Sequence, residues 1–338
     1  MAGVSNPVLA AAVTNAGGLG ALGFGASTWT EAEAAMNAFR AISEGPVHVN
    51  FFCHEEPKRD SAIEKSWIRR FNKEFEILCI SPPTALANPY DSSQRDEQLI
   101  DFARTYTPET ISFHFGLPNG NIVEALKSNG TNVLTSVTNL NDAMSALDAG
   151  TDGLIAQGIE AGGHLGTFDA RHDDAMSTKD LVAELKRLID VPIIAAGGIM
   201  TGADIQEMLS SGAVACQLGT AFLLCPEAST NADYRHQIKQ ANSNDTVITR
   251  AISGRAARGI KNRITHIGAA TSSGDIPDYP ISYDLAKHLN AIATEQGVSG
   301  YGAYWAGTGV AEARETAASA LVATLAQELA AVRTEAVR

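Results

Sequence analysis

Short apolar runs that alternate with segments of helical period constrain this chain most. The runs at 19–23, 47–52, 110–115, 132–137, 153–157, 192–196 and 215–219 are bounded by Gly or Pro and rich in β-branched or small residues. Helical patterns fall between them, at 31–42, 122–127, 142–148, 179–188 and 204–209. A strand apolar on both faces must be covered on both faces. Repeated βα units of this kind therefore predict an α/β fold with a parallel sheet wrapped by helices, either a barrel or a doubly wound sheet.

The seven strand-like runs are preceded by a helix: Asn6-Pro7 offers a polar cap and a proline in the first turn, and Gly17-Gly18 a stop. From Pro226 the alternation ends. The expectation is a (β/α)8-type barrel over 1–225 that lacks its first strand, a mainly helical excursion over 226–308 covering one end, and a closing helix within 309–338. Within the excursion 246–259 is mixed, 271–283 is a Ser/Gly/Pro-rich loop, and 284–295 is helical.

Composition removes other classes. The chain is 45% hydrophobic, enough for a core, and carries 25 basic against 38 acidic residues, a net charge of −13. Such a surface repels phosphate backbones and anionic lipid, which argues against nucleic-acid and membrane roles. Cys53, Cys79, Cys216 and Cys225 show no metal spacing and read as free thiols. No apolar stretch reaches the ~18–20 residues of a membrane span. A cytoplasmic protein, monomeric or homodimeric, is expected.

In α/β barrels chemistry collects at the C-terminal ends of the strands. There Gly197-Gly198 follows one strand and Gly219-Thr220 the next, each expected to open a helix N-terminus, a cradle suited to a phosphate. His164 lies in Gln157-Gly158-Ile159-Glu160-Ala161-Gly162-Gly163-His164-Leu165-Gly166, either as a proton-transfer group or as a surface-loop histidine beside turn glycines. His114, between Phe113 and Phe115, is either buried packing or a second site residue on the same face. His54 is a weaker candidate; His48, His172, His236, His266 and His288 read as surface or packing residues. Tyr279, Tyr283 and Lys287 are spaced to share one face of a helix, as an anion grip or as an ordinary amphipathic surface.

Taken in order, Met1-Ala2-Gly3-Val4-Ser5, Asn15-Ala16-Gly17-Gly18-Leu19-Gly20, Val49-Asn50-Phe51-Phe52, Ser112-Phe113-His114-Phe115-Gly116, Gln157 to His164, Ala196-Gly197-Gly198-Ile199 and Gln217-Leu218-Gly219-Thr220 resemble the nitronate monooxygenase family, class I branch. The match runs from residue 1 to about residue 310. The Glu160-to-His164 stretch by itself is shared with flavin-dependent enoyl-ACP reductases and NADH:quinone reductases, which form the alternative, beside a non-catalytic flavin-binding remnant. The resemblance implies a TIM-barrel FMN enzyme that oxidises alkyl nitronates or nitroalkanes with O2 to carbonyl compounds and nitrite, with no metal. It implies His164 and His114 as catalytic residues. It implies Met1, Ala2, Gly3, Asn50, Gln157, Gly162, Gly163, Gly197, Gly198, Gln217, Leu218, Gly219 and Thr220 as flavin contacts, and Tyr279, Tyr283 and Lys287 as substrate contacts. Members of the family carry a first strand ahead of the Met-Ala-Gly stretch, in line with the strand count here.

Overall fold

A computed structural model describes residues 1–171 and 176–336. His172 and the last two residues lie outside the described residues. Among the described residues ten strands are present: β1 (Gly20–Gly23), β2 (Val47–Phe52), β3 (Thr110–His114), β4 (Asn132–Val137), β5 (Gly153–Gln157), β6 (Gly163–His164), β7 (Ile193–Ala196), β8 (Ala215–Gln217), β9 (Thr246–Thr249) and β10 (Ala257–Ile260). Seven form one all-parallel sheet in the order β1-β2-β3-β4-β5-β7-β8, the α/β arrangement of the TIM type, with β1 and β8 at its edges. All seven coincide with the apolar runs. β5, Gly-Leu-Ile-Ala-Gln, is buried at every position, as a strand covered on both faces must be.

Local chemistry starts the helices. Asn6 accepts from the Leu9 N–H at 2.9 Å and Pro7 fills the first turn of helix Pro7–Asn15, as the sequence indicates. Thr28 and Glu31 form a capping box on helix Trp29–Arg40. Helices on one side pack Met36, Phe39, Leu99, Phe102 and Ile122 against β1 to β4. Others set Ala143, Leu181 and Leu185 against β4, β5 and β7. No helix among the described residues is long and apolar enough to cross a membrane.

Two regions depart from expectation. Nothing regular was expected over 53–97, yet it carries helices Ser61–Arg70 and Asn72–Ile77; their Trp67 and Phe75, with Phe71 between them, pack against Ile281, Leu285 and Leu289 of helix Ile281–Glu295. The excursion after β8, expected to be mainly helical, contains the antiparallel hairpin β9–β10, which pairs with β6 in a separate three-stranded sheet. The mixed stretch 246–259 holds most of that hairpin. Ala257 lies opposite His164 and Arg258 opposite Gly163, so the excursion is tied to the histidine loop by backbone hydrogen bonds.

Candidate active site

A cavity of about 330 Å³ opens at the C-terminal ends of the parallel strands. Among the described residues no Lys, Arg, Asp or Glu lines it. Its floor is backbone. Gly197 and Gly198 sit at φ 124° and 71°, conformations that L side chains rarely adopt, and a Cβ on Gly198 would stand 3.0 Å from Glu160 Cβ. The N–H groups of Gly198, Gly219 and Thr220 donate to no protein acceptor among the described residues. The expected pair of helix N-termini is corrected. Ahead of helix Gly202–Ser210, the Asp204 carboxylate takes the Met200 and Thr201 N–H groups at 2.9 Å each, and Glu328 takes that of Gly202 at 2.8 Å. After β8 only a single 3-10 turn, Thr220–Phe222, follows. What the floor offers an anion is a concavity of turn N–H groups rather than two helix dipoles.

One wall is the loop after β5. The Gln157 amide ties it: Nε2 donates to the His164 carbonyl at 2.9 Å and Oε1 accepts from the Gly166 N–H at 2.6 Å. His114 donates Nε2–H to the same carbonyl at 3.1 Å, so in the neutral ring its lone pair is on Nδ1. His164 Nε2 lies 2.8 Å from Ser253 Oγ, on the turn between β9 and β10. Aromatic rings enclose the imidazole, with Trp305 at 5.2 Å, Tyr279 at 5.3 Å and Phe115 at 5.5 Å between centroids. Phe115 holds this position at φ 73°, a strained backbone for a bulky residue.

Behind Phe115 lies a buried cation. The Arg255 guanidinium stacks 4.2 Å from the ring centroid and donates to the carbonyls of Thr167 and Phe168. Among the described residues no carboxylate pairs with it. Burial, with the charges of His114 and Arg255 opposing a further proton, lowers His164 to about 3. Burial likewise holds His114 and His54 at about 4. All three are neutral imidazoles at neutral pH, and burial keeps the phenols of Tyr279 and Tyr283 protonated.

Both proposed catalytic residues line the cavity, as do Met1, Ala2, Gly3, Asn50, Gln157, Gly162, Gly163, Gly197, Gly198, Gln217, Gly219, Thr220, Tyr279 and Tyr283. Two do not. Leu218 packs into the helix-facing core, and Lys287 is exposed, its Nζ 4.7 Å above the Tyr90 ring. Nor do Tyr279, Tyr283 and Lys287 share a helix: helix Ile281–Glu295 starts after Pro280, and a residue before proline is disfavoured in the helical region. Tyr279 reaches the cavity from the preceding loop. His54 is buried against the Tyr279 ring, outside the lining. His236, His266 and His288 are exposed.

His48 corrects the reading of it as surface or packing. It lines the cavity and bonds Ser112 Oγ at 2.6 Å, to which Asn50 Nδ2 also donates at 2.8 Å. The signal was available, because His48, Asn50 and Phe52 alternate on one face of a strand already assigned. Tyr90, Tyr234, Trp305 and Gly307 also line the cavity and were missed. Tyr90, Trp305 and Gly307 arrive from irregular segments without local periodicity, and Tyr234 from helix Ala232–Gln240 of the excursion.

The family model "Nitronate monooxygenase" matches residues 1–328. A nitronate monooxygenase of Paraburkholderia phytofirmans is 44% identical, covering 97% of this chain and 90% of its own. One of Pseudomonas aeruginosa is 42% identical, covering 97% and 94%. The solved nitroalkane oxidase of Streptomyces ansochromogenes is 34% identical, with a TM-score of 0.89 over 98% of this chain and 94% of that one. The chain therefore belongs to the nitronate monooxygenase family of oxidoreductases.

Proposed function

We propose that this enzyme is an FMN-dependent monooxygenase that oxidises alkyl nitronates with O2 to a carbonyl compound and nitrite. The observation that carries the reading is the convergence, in one cavity free of ionised side chains, of unpaired turn N–H groups with two neutral, half-buried histidines. The cavity lies in the ~300–1,000 Å³ range of cofactor pockets, and a cradle of N–H groups without counter-charge suits a phosphate. Bound there, FMN would supply the redox chemistry, accepting electrons from the substrate and passing them to O2.

The chain's own residues would do the rest. The N–H groups of Gly198, Gly219 and Thr220 hold the phosphate, and Asn50 faces the cavity with its Oδ1 as an acceptor. Tyr279 and Tyr283, held as phenols, donate to the oxygens of an anionic substrate. His164 is present as free base throughout the neutral range, but an imidazole lowered to about 3 is a weak acceptor for a carbon-bound proton. An anion beside it, and the Ser253 hydroxyl at Nε2, stabilise its protonated form. This balance favours a nitronate over its neutral parent. Residues 226–308, which bring Tyr234, Tyr279, Tyr283 and Trp305 to the cavity, act as its cover.

Anaerobic mixing of the FMN-reconstituted protein with propionate 3-nitronate, and separately with NADH, tests the proposal. Bleaching of the flavin spectrum by the nitronate alone is the expected result. Rapid bleaching by NADH would replace it with the reductase reading, and a protein that stays colourless after FMN reconstitution would overturn the cofactor.

A further inference from the structure

A second cavity, about 400 Å³, lies beside the first. The two share lining at Ala26 and Tyr90. Strand β2 separates them elsewhere, with Phe52 facing the first and Phe51 the second, as alternation along a strand requires. One wall of the second cavity is apolar, built from Phe24, Trp29 and Phe51 with ring centroids 5.5–5.6 Å apart. The other is hydroxylated, from Ser27, Thr28, Ser92 and Ser93, and the carboxylates Asp91 and Asp96 border it. No histidine lies in it, and no cation lines it among the described residues. Such a lining accepts an uncharged chain and repels a carboxylate.

Tyr90 is held in a way that suits a door. Its ring touches Tyr283 at 5.8 Å between centroids and lies under Lys287 Nζ. Its hydroxyl makes no hydrogen bond among the described residues. Residues 80–92, which carry it, form no helix or strand, and the Tyr90 N–H has only a long contact of 3.5 Å to Asn88. Arg59 and Asp284 tie the backbone at Leu86 and Ala87, at 2.8 and 2.9 Å; the stretch from there to Tyr90, with few hydrogen bonds, belongs to the low-stability end of a fold, where moving elements are found.

We infer that the second cavity takes the uncharged carbon chain of a longer nitronate and that Tyr90, standing between the cavities, sets how long a chain the enzyme accepts. The inference rests on the nitronate reading for its substrate and on the two cavities for its geometry. A methylene accommodated in an apolar pocket shifts discrimination by about tenfold or more. Tyr90→Ala joins the cavities, so the ratio of kcat/KM for octyl nitronate over ethyl nitronate should rise by about that factor. Tyr90→Phe should keep the wild-type ratio, because the ring and not the hydroxyl fills the opening. Ser27→Trp, which fills the second cavity alone, should lower the ratio while leaving ethyl nitronate turnover unchanged. A nitronate ending in a carboxylate should gain nothing from Tyr90→Ala, given Asp91 and Asp96.

A binding measurement separates this inference from the nitronate reading. 1-Octanol carries the chain without the reacting group, so it should change the tryptophan fluorescence of the whole protein saturably, and Trp29→Phe should abolish that change. An enzyme that oxidises no nitronate but binds octanol at Trp29 loses the proposed reaction and keeps the cavity. An unchanged octyl-to-ethyl ratio in Tyr90→Ala, or an octanol response indifferent to Trp29→Phe, overturns the inference.

Discussion

The floor and the wall of the site are made from different materials. The floor comes from the ends of β7 and β8, where Gly197 and Gly198 at positive φ and the Gly219-Thr220 turn present backbone N–H groups. The wall comes from the β5 loop and the excursion, where rings crowd a histidine pair and a buried Arg255 stands behind them. A floor of fixed dipoles has no titratable group, so its hold on an anion is indifferent to pH. The wall has little but titratable groups and aromatic surface, and burial sets their charge. Binding and chemistry are thereby separable, and substitutions should separate them.

The largest effect should fall on the wall. His164→Asn removes the base and leaves a side chain of similar reach. Turnover of a neutral nitroalkane should drop by ~10²-fold, the lower end for a positioned general base because this imidazole is a weak one, while FMN content stays. The pre-formed nitronate has already lost its proton and should still be oxidised. Equal loss with both substrates in a flavin-replete variant would make His164 a substrate-holding residue and blur the division between floor and wall.

On the floor, Gly198→Ala forces an L side chain to φ 71° with its Cβ 3.0 Å from Glu160 Cβ. A left-handed conformation costs ~1–2 kcal/mol, so FMN affinity should fall by about tenfold. Activity per bound flavin should stay at the wild-type level. Titration of the flavin-free protein with FMN, followed by turnover at saturation, reads both quantities. A variant that binds FMN normally but turns over slowly would place chemistry on the floor.

How much of this division was legible in the sequence follows from the same materials. The seven parallel strands were readable because each is a short run of β-branched or small residues bounded by Gly or Pro, and the Gly197-Gly198 turn because its positive φ favours glycine. β6 was not. A two-residue strand has no periodicity and exists only because Ala257 and Arg258 pair with it. The buried Arg255 gave no signal either, since its partners are the carbonyls of Thr167 and Phe168, nearly ninety positions away. His48 was legible in principle, by alternation with Asn50, and was passed over because no motif surrounds it. Helix Gly202–Ser210 misled in the other direction: its N-terminus looked open until Glu328, on the closing helix Ala318–Ala336, was seen to occupy it.

The histidines in and around the cavity should also make stability depend on acid. His48, His54 and His114 are lowered to about 4 and His164 to about 3, chiefly by burial. In the unfolded chain imidazole titrates near 6.5, so that state binds more protons as the pH falls. The stabilisation is complete above the unfolded value and is lost progressively between about pH 6.5 and pH 4, and for His164 on to about pH 3, at ~1.4 kcal/mol per pH unit for each histidine. His54 Nδ1 has no hydrogen-bond partner among the described residues, which makes His54→Phe a mild replacement. Urea unfolding across this window should show a shallower acid loss in the variant, by one histidine's share. An unchanged slope would mean that His54 is not held neutral by its surroundings.

Lys287 should give the smallest effect, and it tests where the wall ends. By sequence spacing it belonged with Tyr279 and Tyr283 as the charge that grips an anion. In the fold it is exposed, outside the cavity lining, and separated from the site by the Tyr90 ring. A charge at such a position is screened by water and salt, and exposed pairs contribute ~0–1 kcal/mol. Lys287→Met keeps most of the stem over Tyr90 and removes the charge. KM for propionate 3-nitronate should therefore rise by no more than about fivefold, the upper end of that range, and the rise should vanish at high salt. FMN content should not change. A larger rise that survives high salt would require Lys287 to swing past Tyr90 onto the substrate, and the wall would then include a cation that this arrangement leaves outside.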